Sequence, residues 1–234
     1  LVDSTANLKV AARRIVFGKF LNCGQTCVAP DYLIVESEVK DRLLSLIDAE
    51  IKRQFGENPL QNPDYGKIVN RKHFDRLTGL CPTAKSNPET LQIAPTVIAD
   101  ATLDHPAMGE EIFGPLLPVL TVEKIAEAKK IIAKNPMPLA FYLFSSNTKT
   151  QRELMTSVQF GGGCVNDTII HLATSEAGFG GVGESGIGAY HGKTGFETFT
   201  HAKTIVDKKT FLDLPLRYQP YASWKDKLIR LFVR

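Results

Sequence analysis

The sequence predicts an α/β fold in which helices flank an open, largely parallel sheet, three layers in all. Short apolar runs typical of buried strands alternate with segments whose apolar residues recur at helical spacing. No internal repeat or flexible linker divides the 234 residues, of which 43% are hydrophobic. A chain of this length and composition can bury one sizeable core.

The first predicted helix runs from Asn7 to about Leu21. Its apolar residues share one face, and Asn7 is suited to cap its N-terminus. Residues 31–36 (DYLIVE) predict a buried strand. We expect Ser37 to cap the second helix, whose apolar positions are 39, 43, 46, 47, 51 and 55.

The middle of the chain continues the alternation of helices and strands. A helix is predicted at residues 71–80, after a loop rich in Asn and Pro. Residues 91–99 are extended but contain a proline, which predicts an edge strand or a broken one. A strand at 116–122, a helix at 123–134 and a continuously apolar strand at 139–144 follow.

The last third of the chain is less regular. Asn147 is expected to cap a helix that ends near Val158, and residues 163–165 predict a short strand. Residues 178–188 are dense in glycine and predict a loop, and residues 204–206 predict a further short strand. In a parallel sheet, functional residues gather at the carboxyl ends of the strands.

The composition predicts neither a secreted nor a nucleic-acid-binding protein. Four cysteines form no CxxC pair and no visible disulfide framework, which favours a reducing, cytoplasmic setting. Five histidines show no metal-ligand spacing, so no metal is expected. No signal peptide and no apolar run of membrane-spanning length is apparent. The net charge is +3, and residues 201–234 hold eight Lys or Arg against three Asp. We interpret that stretch as a solvated basic tail rather than a lipid or nucleic-acid site.

Cys27 is the candidate nucleophile on chemical grounds. It follows a Gly-Gln-Thr turn after a helix, where backbone N–H groups can converge on a carbonyl oxygen. A lone cysteine is more often a small buried residue, so the thiol by itself does not decide the matter.

The surrounding sequence resembles the aldehyde dehydrogenase family. Residues 20–27 (FLNCGQTC) are similar to its active-site segment, and residues 111–115 (EIFGP) to a second motif of the family. Pro95-Thr96-Val97, Val165-Asn166 and Phe179-Gly180-Gly181 match further motifs in the same order. The run from Gly180 to Lys193 resembles the class 3 branch, which oxidises fatty, medium-chain or aromatic aldehydes.

The resemblance implies a role for each matching residue. Cys27 attacks the aldehyde, hydride passes to NAD or NADP, and water releases the acid from a thioester. Glu111 binds the nicotinamide ribose and Phe113 packs near the same end of the cofactor. Phe179 lines the pocket beside the nucleophile, and Asn166 and His171 belong to the substrate pocket. Without the family context, an exposed Glu and packed Phe side chains would be the simpler interpretation.

The resemblance also predicts the domain organisation. Residues 1–206 correspond to the catalytic domain and residues 207–234 to the basic tail. The family's general-base glutamate, its asparagine oxyanion donor and most of its dinucleotide-binding fold match nothing in these 234 residues. We therefore expect the chain to be a catalytic part, inactive alone as a dehydrogenase, of a protein that forms homodimers. Two alternatives remain open: a cysteine-dependent esterase or acyltransferase with a histidine beside Cys27, and a non-catalytic fragment that self-associates.

Overall fold

A computed structural model describes residues 1–220 and 222–232. The chain forms two compact units, residues 1–200 and residues 201–234. The helices of the larger unit are α1 (Leu8–Phe20), α2 (Ser37–Phe55), α3 (Arg71–Leu80), α4 (Ala128–Ile132), α5 (Thr148–Ser157) and α6 (Gly192–Thr198). Its strands are β1 (Leu33–Glu36), β2 (Ser86–Asn87), β3 (Gln92–Ile93), β4 (Thr96–Ile98), β5 (Leu116–Val122), β6 (Ala140–Leu143) and β7 (Gly162–Val165).

The main sheet is parallel throughout. Strand β5 lies between β1 and β4, and β6 pairs with β7. The segment around Val2 joins these two groups, because Val2 bridges both Val35 and Phe144 in parallel. The Val2 N–H donates to the Ile34 carbonyl at 2.9 Å, and the Phe144 N–H donates to the Leu1 carbonyl at 2.9 Å. The strand order is therefore β4, β5, β1, the Val2 segment, β6 and β7. A separate antiparallel pair, β2 and β3, stands outside this sheet.

Helices cover both faces of the sheet. Val35 of β1 packs with α1 and α2 on one face, whereas the neighbouring Ile34 packs with Ala128 of α4 on the other. Leu154 of α5 packs against Leu143 of β6. This alternation follows from the opposite directions of successive side chains in a strand. The predicted three-layer α/β fold is confirmed.

Two predicted helix caps are confirmed. The Asn7 side chain accepts a hydrogen bond from the Val10 N–H at 3.3 Å at the start of α1. The Asn147 side chain accepts from the N–H groups of Lys149 and Thr150, at 3.0 and 3.2 Å, at the start of α5. Each side chain satisfies N–H groups that have no acceptor within the helix.

The predicted cap at Ser37 is wrong. Helix α2 begins at Ser37 itself, and Glu36 occupies the capping position without a side-chain bond to the helix. The side chains of Glu36 and Ser37 both bond to residues outside helix α2. The Glu36 carboxylate accepts from the N–H groups of Ser4 at 2.7 Å and Ile125 at 2.8 Å, and the Ser37 hydroxyl donates to Glu123 at 3.1 Å. Glu36 therefore ties the Val2 segment and the turn after β5 to the end of β1.

Two further predicted elements differ from the structure, and a third is confirmed. The expected helix at 123–134 is a 3-10 turn followed by the short α4. The edge or broken strand expected at 91–99 is confirmed, because it is split into β3 and β4 around Pro95. The strand predicted at 204–206 is wrong: residues 201–209 have no regular structure, and Ile205 and Val206 are 75% and 81% exposed. No described segment offers these residues the partner strand that a ladder requires.

The smaller unit contains α7 (Ser223–Phe232) in its described part. The Lys225 ammonium is buried and donates to the carbonyl oxygens of Tyr218 at 2.9 Å and Pro220 at 3.0 Å. Among the described residues, no helix combines the length and the hydropathy that crossing a bilayer requires.

Candidate active site

Cys27 lies in the loop that follows α1, and it is the exposed member of the four free cysteines. The loop opens with a 3-10 turn, Leu21–Gly24, in which Asn22, Cys23 and Gly24 have φ values of 52°, 55° and 73°. Such left-handed backbone is uncommon outside glycine. The sharp turn buries Cys23 and leaves Cys27 facing outward.

Gln25 holds this loop in place. Its side-chain amide donates to the carbonyl oxygens of Asn22 at 3.1 Å and Lys67 at 3.0 Å, and its Oε1 accepts from the Val69 N–H at 2.9 Å. The Asn22 amide in turn donates to the Gln25 carbonyl at 3.0 Å. The glutamine of the Gly-Gln-Thr turn is therefore a structural residue, a role that sequence reasoning did not assign to it.

Glycines bring the two main motifs together. A Cβ on Gly24 would stand 2.3 Å from the Gly114 carbonyl oxygen, and a Cβ on Gly114 would stand 2.4 Å from Cδ2 of Leu77. Distances this short leave no room for a side chain at either position. The nucleophile loop and residues 111–115 are thus in backbone contact with each other. The Leu77 side chain of α3 packs against Gly114.

Charged side chains fix residues 110–112 next to that contact. The Ile112 N–H donates to the Asp31 carboxylate at 3.0 Å, and the Ile112 carbonyl accepts from the Arg76 guanidinium at 2.6 Å. Arg76 also donates to the Glu110 carboxylate at 3.0 Å. Burial, and then the charge of Asp31, raise the pKa of Glu111, against the lowering effect of Lys19 and Arg76.

Cys27 and Glu111 line the same cavity, which has a volume of about 590 Å³. The cavity is also lined by Asp31, Glu110, Tyr32 and Phe141. Glu184 and Ser185, from the glycine-dense loop, complete one side. Phe113 is 41% exposed and is not among the lining residues.

The predicted pocket residues Phe179 and His171 pack together beside Tyr142. The His171 ring centroid lies 6.0 Å from that of Phe179 and 5.8 Å from that of Tyr142. The Tyr142 hydroxyl donates to the Val28 carbonyl at 2.7 Å, directly after the candidate nucleophile. This aromatic group therefore supports the backbone on which Cys27 stands.

His171 approaches a thiol, but not the predicted one. Its Nδ1 lies 3.7 Å from Sγ of Cys164, and burial lowers the pKa of the imidazole, which disfavours its protonated form. Its Nε2 is buried and has no hydrogen-bond partner among the described residues. A Cys27 hydrolase with a histidine base needs that histidine within hydrogen-bond reach of the thiol. The described residues show no such pair at Cys27.

Asn166 follows β7, and both the oxygen and the nitrogen of its side-chain amide bond to Ser145. Its Oδ1 accepts from the Ser145 N–H at 2.9 Å, and its Nδ2 donates to the Ser145 carbonyl at 3.0 Å. The amide thus joins the carboxyl ends of β6 and β7. Across residues 1–220 and 222–232, no three His, Cys, Asp or Glu side chains come together as metal ligands would.

Comparison with known proteins identifies the family. The model of the Aldehyde dehydrogenase family matches residues 1–205. The chain belongs to the aldehyde dehydrogenase family. Its relatives include the class 3 branch: Aldehyde dehydrogenase family 3 member H1 of Arabidopsis thaliana is 42% identical over 244 residues, covering 100% of this chain and 50% of the plant protein.

Other aldehyde dehydrogenases are similarly related. The 4,4'-diaponeurosporen-aldehyde dehydrogenase of Staphylococcus aureus is 46% identical over 242 residues, 100% of this chain and 52% of that protein. A substrate-bound Staphylococcus aureus AldH structure superposes with a TM-score of 0.95 at 45% identity, covering 100% of this chain and 52% of that one. A rat relative, 41% identical over 88% of this chain and 47% of its own, is named dimeric and NADP-preferring. The chain spans about half the length of these curated relatives.

Sequence reasoning missed two charged residues of this aldehyde dehydrogenase chain: Asp31, which lines the cavity, and Lys19, which is buried and does not line it. Lys19 is 1% exposed at the end of α1, a position at which the sequence alone predicts a solvent-exposed charge. Asp31 follows the nucleophile loop, and the sequence predicts it as the first residue of a strand. The Asp31 carboxylate accepts from the Ile112 N–H, and the charges of Asp31 and Glu111 oppose the lowering of the Lys19 pKa by burial.

Proposed function

We propose that this chain carries the catalytic part of an NAD(P)-dependent aldehyde dehydrogenase in which Cys27 is the nucleophile. The observation that carries the proposal is the shared cavity: the one exposed thiol of the chain and the carboxylate of Glu111 face the same space. Hydride transfer requires that the substrate bound to the nucleophile and the cofactor lie in the same space. Membership of the family supplies the reaction class.

The covalent steps follow from the chemistry of a thiol. The Cys27 sulfur forms a bond to the aldehyde carbon, and the carbonyl electron pair moves to oxygen, giving a thiohemiacetal. That carbon then loses a hydride and becomes a thioester. Water adds to the thioester, the C–S bond breaks, and the acid leaves with the thiol restored. Among the described residues none accepts a hydrogen bond from the Cys27 N–H, so this group is free to stabilise the oxyanion.

Glu111 and Phe113 are proposed to hold the cofactor. A bound nicotinamide would supply the acceptor for the hydride that the thiohemiacetal carbon loses. The exposed face of Glu111 suits a hydroxyl-bearing group such as a ribose, because an ionised carboxylate is an acceptor only. The exposed Phe113 ring offers an apolar surface one residue beyond the buried Ile112. These side chains fit either NAD or NADP.

The substrate wall is proposed to include Phe179 and His171, with Asn166 behind them. Phe179 and His171 form an aromatic group against Tyr142, and Tyr142 itself lines the cavity of Cys27. Asn166 acts through its bonds to Ser145, which fix the strand ends below this group.

We further propose residues 1–206 as the catalytic domain, residues 207–234 as a basic tail, and a homodimeric, cytoplasmic protein without nucleic-acid or membrane partners. The free state of all four cysteines supports a reducing compartment. The exposed Ile205 and Val206 support an interface that covers them. Sedimentation at increasing concentration tests the dimer, and a monomer at every concentration would contradict it.

Thiol labelling tests the nucleophile. The rate of alkylation by an iodoacetamide probe is measured against pH for each cysteine by mass spectrometry, with Cys23, Cys81 and Cys164 as internal controls. We expect Cys27 to react fastest at neutral pH, and an aldehyde substrate to protect it alone. Equal rates at all four cysteines, or no protection, would mean that Cys27 is not the nucleophile.

A further inference from the structure

Two charged side chains hold the two peptide groups that flank Ile112. The Ile112 N–H, in the peptide that joins it to Glu111, donates to the Asp31 carboxylate at 3.0 Å. The Ile112 carbonyl, in the peptide that joins it to Phe113, accepts from the Arg76 guanidinium at 2.6 Å. The Ile112 side chain is fully buried. The two residues proposed to bind the cofactor, Glu111 and Phe113, therefore stand on either side of a fixed point in the backbone.

The backbone at Phe113 needs such support. Its φ of 48° lies in the left-handed region, which is uncommon for a bulky residue. A conformation of this kind persists where the surrounding structure fixes it, and such residues cluster at functional sites. The Arg76 bond to the Ile112 carbonyl acts directly before this turn, and Gly114, directly after it, packs against Leu77 of α3. Helix α3 therefore holds both ends of the turn that leaves the Phe113 side chain 41% exposed.

Arg76 also bonds to other residues of the same segment. It donates to the Glu110 carboxylate at 3.0 Å and to the Glu111 carbonyl at the longer distance of 3.5 Å. Its planar guanidinium carries five N–H donors in a fixed arrangement, so one side chain serves acceptors on three successive residues. Glu110 and Glu111 line the cavity of Cys27, whereas Arg76 does not. Arg76 therefore contacts residues of the cavity wall from behind and leaves the cavity itself to substrate and cofactor.

We propose that Arg76 is a positioning residue for cofactor binding, which holds residues 110–113 in the conformation that presents Glu111 and Phe113 to the cofactor. The inference rests on the proposed cofactor role of those two residues. Without the guanidinium, the Ile112 carbonyl loses its charged donor. The segment then samples other conformations in the free protein, and binding must order it again, which weakens affinity. Arg76 lies outside the cavity wall, so the covalent steps should change little once the cofactor is bound.

The test compares Arg76→Met with a matched control in the natural protein. Arg71→Met removes another arginine of α3, which donates to the Pro88 carbonyl at 2.9 Å and pairs with Asp75 at 3.1 Å. Dissociation constants for NADH and NADPH are measured by fluorescence titration, and KM and kcat for the cofactor by initial rates. We expect Arg76→Met to weaken cofactor binding and raise KM about tenfold, with kcat within about twofold of the parent value. Arg71→Met should leave all three quantities unchanged.

A double variant with Glu111→Gln shows how Arg76 acts. If Arg76 holds Glu111 in place, Arg76→Met costs less affinity in the Glu111→Gln background than in the parent, because the positioned carboxylate is already gone. Equal losses in both backgrounds, an unchanged dissociation constant in Arg76→Met, or the same loss in Arg71→Met overturn the inference and leave the proposed function standing. An unchanged constant in Glu111→Gln shows instead that Glu111 is not a cofactor ligand, which removes the premise.

Amide hydrogen exchange without cofactor gives a second readout. We expect the amides of residues 109–115 to exchange faster in Arg76→Met and at the parent rate in Arg71→Met. Parent-like protection in Arg76→Met would show that the segment keeps its conformation without the guanidinium, and the inference would fall. Should Arg76→Met fail to fold, Arg76→Lys takes its place. One ammonium cannot serve all the acceptors of the guanidinium fork, so the expected loss of affinity is then about threefold.

Discussion

The Tyr142 hydroxyl donates a 2.7 Å hydrogen bond to the Val28 carbonyl, so strand β6 holds the residue directly after the candidate nucleophile. Tyr142 and Val28 are both buried, and their sequence positions lie 114 apart. The position of Cys27 is therefore set by strand β6 as well as by its own loop.

Removal of that hydroxyl is predicted to disturb the thiol. Tyr142→Phe leaves the Val28 carbonyl without its donor in a buried site, at a cost of about 1–3 kcal/mol in the free energy of unfolding. We also expect the alkylation rate of Cys27 to change while that of Cys81 stays constant. Tyr32→Phe, in a half-buried tyrosine whose hydroxyl is bonded to Asn135 and not to the nucleophile loop, is the control. An unaltered melting temperature together with an unaltered Cys27 rate would show that the bond is dispensable.

Gly24 is predicted to tolerate no side chain. Gly24→Ala places a Cβ 2.3 Å from the Gly114 carbonyl oxygen on a backbone with φ of 73°. Gly56→Ala has a similar φ of 83° but nothing within 4 Å, so it isolates the backbone strain from the clash. We expect Gly24→Ala to destabilise the fold by about 1–3 kcal/mol more than Gly56→Ala, measured by urea denaturation. Equal losses in the two variants would attribute the whole effect to backbone conformation.

Lys19 is predicted to give stability a specific pH dependence. Burial lowers its pKa from 10.5 to about 8. Between these values the unfolded chain binds a proton that the folded chain has released, so stability rises with pH over this window. The unfolding free energy of the parent chain minus that of Lys19→Met should therefore rise from pH 8 to pH 10, by up to about 3 kcal/mol.

The difference, rather than the parent curve, isolates this effect. Burial raises the pKa of Cys23, which removes stability as pH rises in a similar range, and both proteins share that loss. A constant difference across the window would show that Lys19 keeps an ordinary ionisation. Lys9→Met, on the exposed face of α1, should give a curve parallel to the parent.

The 234-residue polypeptide by itself is predicted not to oxidise aldehydes. Its residues supply the thiol, one backbone donor and the Glu111 carboxylate, whereas the resemblance assigns the general base and the phosphate and adenine contacts to motifs that these residues do not contain. The assay follows NADH or NADPH absorbance with medium-chain and aromatic aldehydes, and Cys27→Ser is the blank. Turnover above that blank would contradict the prediction.

The sequence predicts the sheet far better than the site. Helix α1 with its Asn7 cap, and strands such as β5, follow from apolar periodicity, because local spacing reflects which face is buried. The cap of α2 was predicted wrongly because Glu36 and Ser37 bond to residues distant in the chain. The buried charge of Lys19 and the partner of His171 were unpredictable for the same reason: each depends on a contact between segments that no local pattern records.

The position of the Val2 segment also determines when the sheet can form. Strands β1 and β6 meet through residues 1–3, so the sheet cannot close until the segment near Phe144 has been synthesised and has returned to these residues. Contacts of such large sequence separation slow folding, because a long loop must be ordered before they form. A nascent chain that has not yet reached Phe144 would therefore hold α1, α2, β1, β4 and β5 with the Val2 edge of the sheet unpaired, and a chaperone that binds such edges would act at this stage.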